Sequence, residues 1–320
     1  MREIRNRLVQ DLLRLLVGPQ ISWGASAKAR LESQDFTARI QNLVDRLPAD
    51  SRVYVQSPIF VLSAGWRSGS TMLQRMIMEN NPDILIWGEP FDLANVHDNM
   101  ANQFRAFTRD WPPKIYFLSM TNGTNLSDTW VANLYPDMEN LMAAHRHFYD
   151  SLFAAAAAHA GRSRWGLKEV RLTIDHARYF RALYPECKIL LLYRNPLDAY
   201  RSYRRWRMGV FRRWPDRFVA TPYAFGRNWS ELMQGYLDGH HTVEAFLIRY
   251  EDLDDPARIA RLSEYLGWTV PRSSQVRKIR DRAAGPISAS QGPDRLPIAD
   301  RLLIEWTTRR VRRAAGYDSI

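Results

Sequence analysis

The feature that most constrains the fold is a repeated switch from a short, unbroken apolar run to a helix-spaced segment. Lys188–Tyr193 holds Ile189, Leu190, Leu191 and Leu192 in succession. Pro196 then sits where the first turn of a helix tolerates its fixed φ. Ile59–Leu62 is a second such run, ending in Ser-Ala-Gly; from Thr71 to Glu79, Met72, Leu73, Met76 and Ile77 then recur at helical spacing. Leu85–Trp87, Gly166–Lys168 and Phe246–Ile248 read as further strands. Leu172–Tyr184, followed by Pro185, and Ile259–Leu266, ended by Gly267, read as helices. Apolar runs without polar alternation suit strands buried on both faces. The pattern therefore predicts an α/β chain with a central parallel sheet flanked by helices.

Residues 57–94 and 164–268 carry this pattern, as the core of a single domain spanning 1–320. Residues 95–163 read as a largely helical insertion after a sheet strand, a natural lid or acceptor-binding region. It holds Pro112, Pro113 and Gly123, then the alanine-rich Ala154–Ala158. Residues 1–50 and 270–320 read as peripheral helices. The apolar positions of Ile4–Leu16 and Leu302–Val311 suit packing on this chain or between subunits.

The formal charge of +11 comes almost wholly from arginine, since lysine occurs only at Lys28, Lys114, Lys168, Lys188 and Lys278. Guanidinium groups form forked bonds to phosphate and sulfate, so a polyanionic ligand is favoured. The same excess also suits the arginine-rich surface of a protein from a GC-rich bacterial gene. Cys187 is the lone cysteine, which excludes an intrachain disulfide and argues against a cysteine-based metal site. A reducing, cytoplasmic setting is the simplest expectation. No run approaches the roughly 18 apolar residues of a spanning helix. Arg2–Gly18 reads as a basic amphipathic helix for packing or for a membrane surface, with charges that interrupt any signal-peptide core.

Phe60–Leu73 is a strand, a small-residue loop and a helix. A helix N-terminus offers free N–H groups and a favourable dipole to an anion. Gly69 permits close backbone approach, Ser68, Ser70 and Thr71 add hydroxyls, and Arg67 adds charge. The loop is P-loop-like, yet it fails that pattern. Gly65 and Gly69 enclose only Trp66, Arg67 and Ser68, and no lysine follows Gly69. An ordinary Ser/Gly-rich turn stays open as the alternative. The strongest strand ends in Arg194, not in the aspartate that helps hold Mg²⁺ in many P-loop ATPases. Direct neutralisation of phosphate by guanidinium follows, and no metal is expected.

Together these stretches resemble the PAPS-dependent sulfotransferases. Trp66-Arg67-Ser68-Gly69-Ser70-Thr71 is similar to that family's 5′-phosphosulfate loop, in the form of the carbohydrate and tyrosylprotein branches. Tyr193-Arg194-Asn195-Pro196, continuing to Ser202, resembles the 3′-phosphate motif, in which Arg194 and Ser202 would hold the ribose phosphate. Trp87-Gly88-Glu89-Pro90 resembles the acidic motif of branches with a glutamate base. Gly166-Leu167-Lys168-Glu169-Val170-Arg171 resembles the lysine-bearing strand, and Arg249-Tyr250-Glu251-Asp252-Leu253 a later strand. The likeness covers about residues 57–268. It implies a soluble bacterial enzyme with PAPS as co-substrate and PAP as product.

By that resemblance Glu89 is the base, while Arg67 and Lys168 stabilise the sulfonyl group and the bridging oxygen. Arg67, Ser68, Gly69, Ser70, Thr71, Arg194 and Ser202 bind the donor. The alternatives are structural: Glu89 paired with an arginine, and Lys168 paired with Glu169 or Glu186; Arg171 is open to either a phosphate or an i,i+4 pair with Asp175. His97 is the second candidate base, and His145 and His147 read as helix-surface residues. Tyr250, Glu251 and Asp252 read as structural. The basic run Arg201–Arg213, with Tyr203 and Trp206, suits an acidic peptide or glycan acceptor, a nucleic acid or a solvated face. The expected partner is a hydroxylated acceptor, with no nucleic acid. A P-loop-like phosphotransferase and a nucleic-acid-binding protein are the competing functions.

Overall fold

Every residue of β1 (Ile59–Ser63) is buried, and its neighbours explain why the apolar runs lack alternation. Phe60 and Leu62 face one cluster, with Phe180 stacked on Phe60 at 4.0 Å between ring centroids. Ile59 and Val61 face the other, with Leu73, Met76 and Ile77 of α1 (Ser70–Glu79). A strand covered on both sides has no position for a polar residue to face water.

The computed structural model describes residues 57–89, 96–106, 112–120, 126–127, 130–205, 219, 221–276 and 295–317. The expected helix over Ile4–Leu16 and the basic run beyond Arg205 lie outside the described residues. Within them, β1 joins β2 (Ile84–Trp87), β3 (Arg164–Glu169), β4 (Lys188–Tyr193) and β5 (Phe246–Arg249) in one parallel sheet, ordered β2-β3-β1-β4-β5. Helices flank it, so the fold is the expected P-loop-like α/β arrangement. The chain leaves β1 toward one edge and β4 toward the other, which opens a crevice at their carboxyl ends.

Helix boundaries follow local start and stop signals. α5 (Ile174–Leu183) begins after Thr173, which forms a capping box with His176. α8 (Pro256–Leu266) begins three residues before the apolar spacing at Ile259 becomes evident. Asp255 caps the amides of Ala257 and Arg258, and Pro256 occupies the first turn.

The insertion is more deeply packed than a lid. Its helices α2 (Val96–Asn102) and α3 (Met138–Tyr149) bury Ala101, Met142 and Tyr149 in the cluster that holds Phe60. A π-helical turn, Asp150–Ala154, continues α3 into α4 (Ala155–His159). His145 corrects the sequence reading: it is buried, whereas His147 is exposed. The buried stripe of α3 runs Met138, Met142, His145, Arg146 and Tyr149, so polar residues occupy a helical period that apolar ones define. Between α2 and α3, Ile115, Leu118, Trp130 and Val131 are exposed.

Three further helices complete the described chain. α6 (Pro196–Arg205) follows β4, α7 (Pro222–Gly239) precedes β5, and α9 (Ile298–Ala314) packs along α7.

Candidate active site

The loop after β1 is shaped by backbone sign changes. The amide of Ala64 donates to Leu192 O at 2.8 Å, which carries the β1–β4 ladder one residue past the strand. Then φ is positive at Gly65 (86°), Arg67 (64°) and Gly69 (91°), at alternate residues. Alternation of this kind turns successive N–H groups toward one concavity, a nest that suits an anion. α1 starts from Gly69 with no side-chain cap, so its first-turn N–H groups add to the same concavity.

The loop's hydroxyls divide. Ser68 Oγ is turned inward, within 2.7 Å of Gly65 O and 3.2 Å of Ala64 O, so it braces the loop instead of facing a ligand. Ser70 is buried at the helix start and Thr71 is exposed.

The second half of the crevice comes from β4 and α6. Asn195 Oδ1 accepts from Leu197 N at 3.0 Å, and Pro196 takes the first helical position; this sets α6 on its course. Ser202 thereby reaches the loop, where Arg67 Nε donates to its Oγ at 2.9 Å. Arg194 Nη1 donates to Arg67 O at 3.3 Å, and Arg194 Nε is buried without a partner among the described residues. Burial, then the nearby charge of Arg194, depress the Arg67 pKa. Two guanidiniums held in Coulombic reach of each other repel, and an anion between them relieves the repulsion.

Tyr250 joins the two halves, a role that sequence reasoning missed. A Cβ on Gly69 would stand 2.0 Å from Tyr250 Cδ2, so the ring lies directly against the loop backbone. The Arg194 guanidinium lies 4.2 Å from the centre of the same ring. The signals in the sequence were an aromatic residue just past a strand and its place in the stretch Arg249–Leu253.

Lys168 and Glu89 meet at the carboxyl ends of β3 and β2. Lys168 is in register with Val61, so it shares the sheet face covered by α1. Its Nζ forms an ion pair with Glu89 Oε1, and their side chains are 7% and 26% exposed. Glu89 also lies within electrostatic reach of Arg67. Lys168 pairs with neither Glu169 nor Glu186 in the described structure. Glu169 instead takes a forked bond from Arg171 at 2.8 and 2.5 Å. Asp175 pairs with Arg178 at 2.7 Å, because Arg171 precedes the cap of α5 and lies outside helical i,i+4 geometry.

His97, the second candidate base, is a core residue. Its Nδ1 lies 3.0 Å from Tyr149 Oη, and burial pushes its pKa down to about 3. His145 meets Tyr179 Oη at 2.8 Å, and burial lowers it to about 4.

Other features lie apart from the loop. A cleft of about 460 Å³, lined by Tyr193, Arg249, Arg258 and Gly316, involves neither the loop nor the Lys168–Glu89 pair. Among the described residues no cluster of His, Cys, Asp or Glu is placed to hold a metal ion. None of their helices is long and apolar enough to cross a membrane.

Comparison with known proteins identifies the family. A profile of the sulfotransferase family matches residues 58–272, about two thirds of the chain. The chain belongs to the sulfotransferase family. The matched span holds the loop, Glu89, Lys168, Arg194, Ser202 and Tyr250. Sulfotransferases are also found among solved structures similar to this chain. The sulfotransferase domain from the curacin biosynthetic pathway is 18% identical, with 84% of this chain and 100% of that one covered, at a TM-score of 0.48. The domain from the Synechococcus PCC 7002 olefin synthase is 16% identical, with 84% and 98% covered, at 0.44. A mouse sulfotransferase complexed with PAP is 12% identical, with 89% and 96% covered, at 0.40. No curated protein gives a significant match.

Proposed function

We propose that this sulfotransferase-family chain moves the sulfonyl group of PAPS to an acceptor hydroxyl. The observation that carries this reading is the meeting of two anion-binding half-sites: the loop around Arg67–Gly69, and Arg194 with Ser202, tied by the Arg67–Ser202 bond. A donor with phosphates at both ends of its nucleoside, on the 5′ and the 3′ side, needs two such sites. An ATP-like triphosphate needs one extended cradle and a metal ligand.

In this reading the loop amides and Arg67 grip the 5′-phosphosulfate, and Arg194 and Ser202 grip the 3′-phosphate. The acceptor oxygen attacks sulfur in line. The bond from sulfur to the bridging oxygen breaks, and PAP leaves with that electron pair. Glu89 takes the hydroxyl proton, while Lys168 and Arg67 offset the charge that grows on the sulfonyl and bridging oxygens. The Lys168–Glu89 ion pair fits both roles, since it fixes the carboxylate at the strand end and holds it beside the cation.

The whole chain is read as one domain, with residues 95–163 facing the acceptor. The exposed side chains of Ile115, Trp130 and Val131 in that stretch support the assignment, as apolar surface that a ligand can cover. The buried, free Cys187 suits a reducing cytoplasm. Thermal melts with PAP, adenosine 5′-phosphate, ATP with Mg²⁺ and a short oligonucleotide test the donor. PAP should stabilise most, and adenosine 5′-phosphate much less. Stabilisation by ATP with Mg²⁺ but not by PAP refutes the proposal. Transfer of radiolabelled sulfate from PAPS to fractionated extract identifies the acceptor.

A further inference from the structure

α9 carries an exposed apolar stripe, flanked by the Tyr223 ring, which lies 5.9 Å from that of Trp306 between centroids. Ile298, Leu302 and Trp306 recur every fourth residue and are 79%, 58% and 66% exposed. The opposite face, with Ile304, Thr308 and Val311, is buried, and the helix packs along α7. The same helix exposes Arg301, Arg309, Arg310 and Arg313 against Asp300 and Glu305, while Arg312 is buried. Both acids are already engaged, Asp300 with Arg204 at 3.3 Å and Glu305 with Arg301 at 2.7 Å. At its N-terminal end a cleft of about 380 Å³ is lined by Arg201, Arg295 and Arg301 with Leu197, Leu296, Asn195 and Asp198.

We infer that this face docks on an anionic lipid bilayer. The stripe enters the boundary between head groups and acyl chains, the arginines meet lipid phosphates, and the cleft seats one head group. Charge complementarity decides among occupants. A second copy meeting this face by two-fold symmetry brings Arg309, Arg310 and Arg313 either against themselves or over the partner's apolar stripe. The chain's own Ile4–Leu16 segment is interleaved with Arg5, Arg7 and Arg14, so it brings more positive charge. An anionic bilayer supplies apolar depth and phosphate together, and an indole is suited to that boundary.

The test is flotation of the full chain with phosphatidylcholine vesicles, with and without phosphatidylglycerol. Binding should need the anionic lipid and weaken with salt. Leu302→Asp/Trp306→Asp should lower partitioning about tenfold or more. Arg309→Gln and Arg313→Gln should each lower it about fivefold, as expected for a basic residue worth about 1 kcal/mol at such a surface. All variants should keep the melting shift with PAP, which separates this inference from the donor assignment. Lack of vesicle binding by the unaltered chain overturns the inference. So does unchanged binding by the stripe variant, which moves the contact elsewhere. A dimer that this variant splits, without any vesicle binding, assigns the face to a second copy.

Discussion

Gly65 and Gly69 share a backbone sign but differ in what lies beside them, and that difference yields a quantitative prediction. At Gly65 a new Cβ would lie 3.6 Å from Asn228 Nδ2, an ordinary contact. Gly65→Ala therefore carries only the penalty of a left-handed alanine, about 1–2 kcal/mol. At Gly69 the new Cβ would lie 2.0 and 2.4 Å from two Tyr250 ring carbons. Carbon pairs prefer about 3.5–4.0 Å, so the ring or the loop must move by roughly 1.5 Å. Tyr250 supports the Arg194 guanidinium at 4.2 Å, so that shift removes Arg194 from a phosphate oxygen. Loss of one such charged hydrogen bond adds about 1.5–3 kcal/mol. Gly65→Ala should weaken PAP binding about tenfold, and Gly69→Ala at least about 100-fold. Calorimetric titration with PAP measures this, with urea unfolding alongside to record any part of the strain that appears as lost stability. Tyr250→Ala completes the cycle. In that background Gly69→Ala should fall to the Gly65→Ala penalty, because the clash is gone. Equal penalties at the two glycines, or a Gly69 penalty indifferent to Tyr250, refute the wedge.

Three more outcomes can be checked directly. Glu89→Gln should retain PAP affinity and lose about 10²–10⁴-fold in turnover; full activity removes Glu89 as the base. Arg194→Lys should weaken PAP binding about 10–100-fold yet leave adenosine 5′-phosphate binding unchanged, since an ammonium cannot reproduce the forked, stacked guanidinium. An equal loss for both ligands would detach Arg194 from the 3′-phosphate. Stability should fall on acidification from about pH 7 toward pH 4, as measured by urea midpoints. The native pKa values of His97 and His145 are held down to about 3 and about 4 by burial, so the unfolded chain binds protons that the native state refuses below about 6.5. Each histidine contributes a slope approaching 1.4 kcal/mol per pH unit in that window, and His97→Asn should flatten it by one share.

The sequence alone determined the sheet and singled out the loop after β1 as the candidate anion site. Ile59–Leu62 and Ile189–Leu192 had no polar alternation, so burial on both faces followed, and the parallel sheet with it. Helix limits were legible where a cap announced them, as at Gly267, and misplaced where the cap was read too late, as at Asp255-Pro256. The loop residues 65–69 lie within one strand–turn–helix unit, so local rules reached them. Tertiary structure decided what those residues touch. Lys168 meets Glu89, Arg67 meets Ser202, and Tyr250 presses on Gly69, each across more than one element. It also buried His97 and His145 beside tyrosine hydroxyls. Periodicity reports which face of an element turns inward, but not what stands opposite. That depends on strand order, and the order β2-β3-β1-β4-β5 exists only once the crossovers are made.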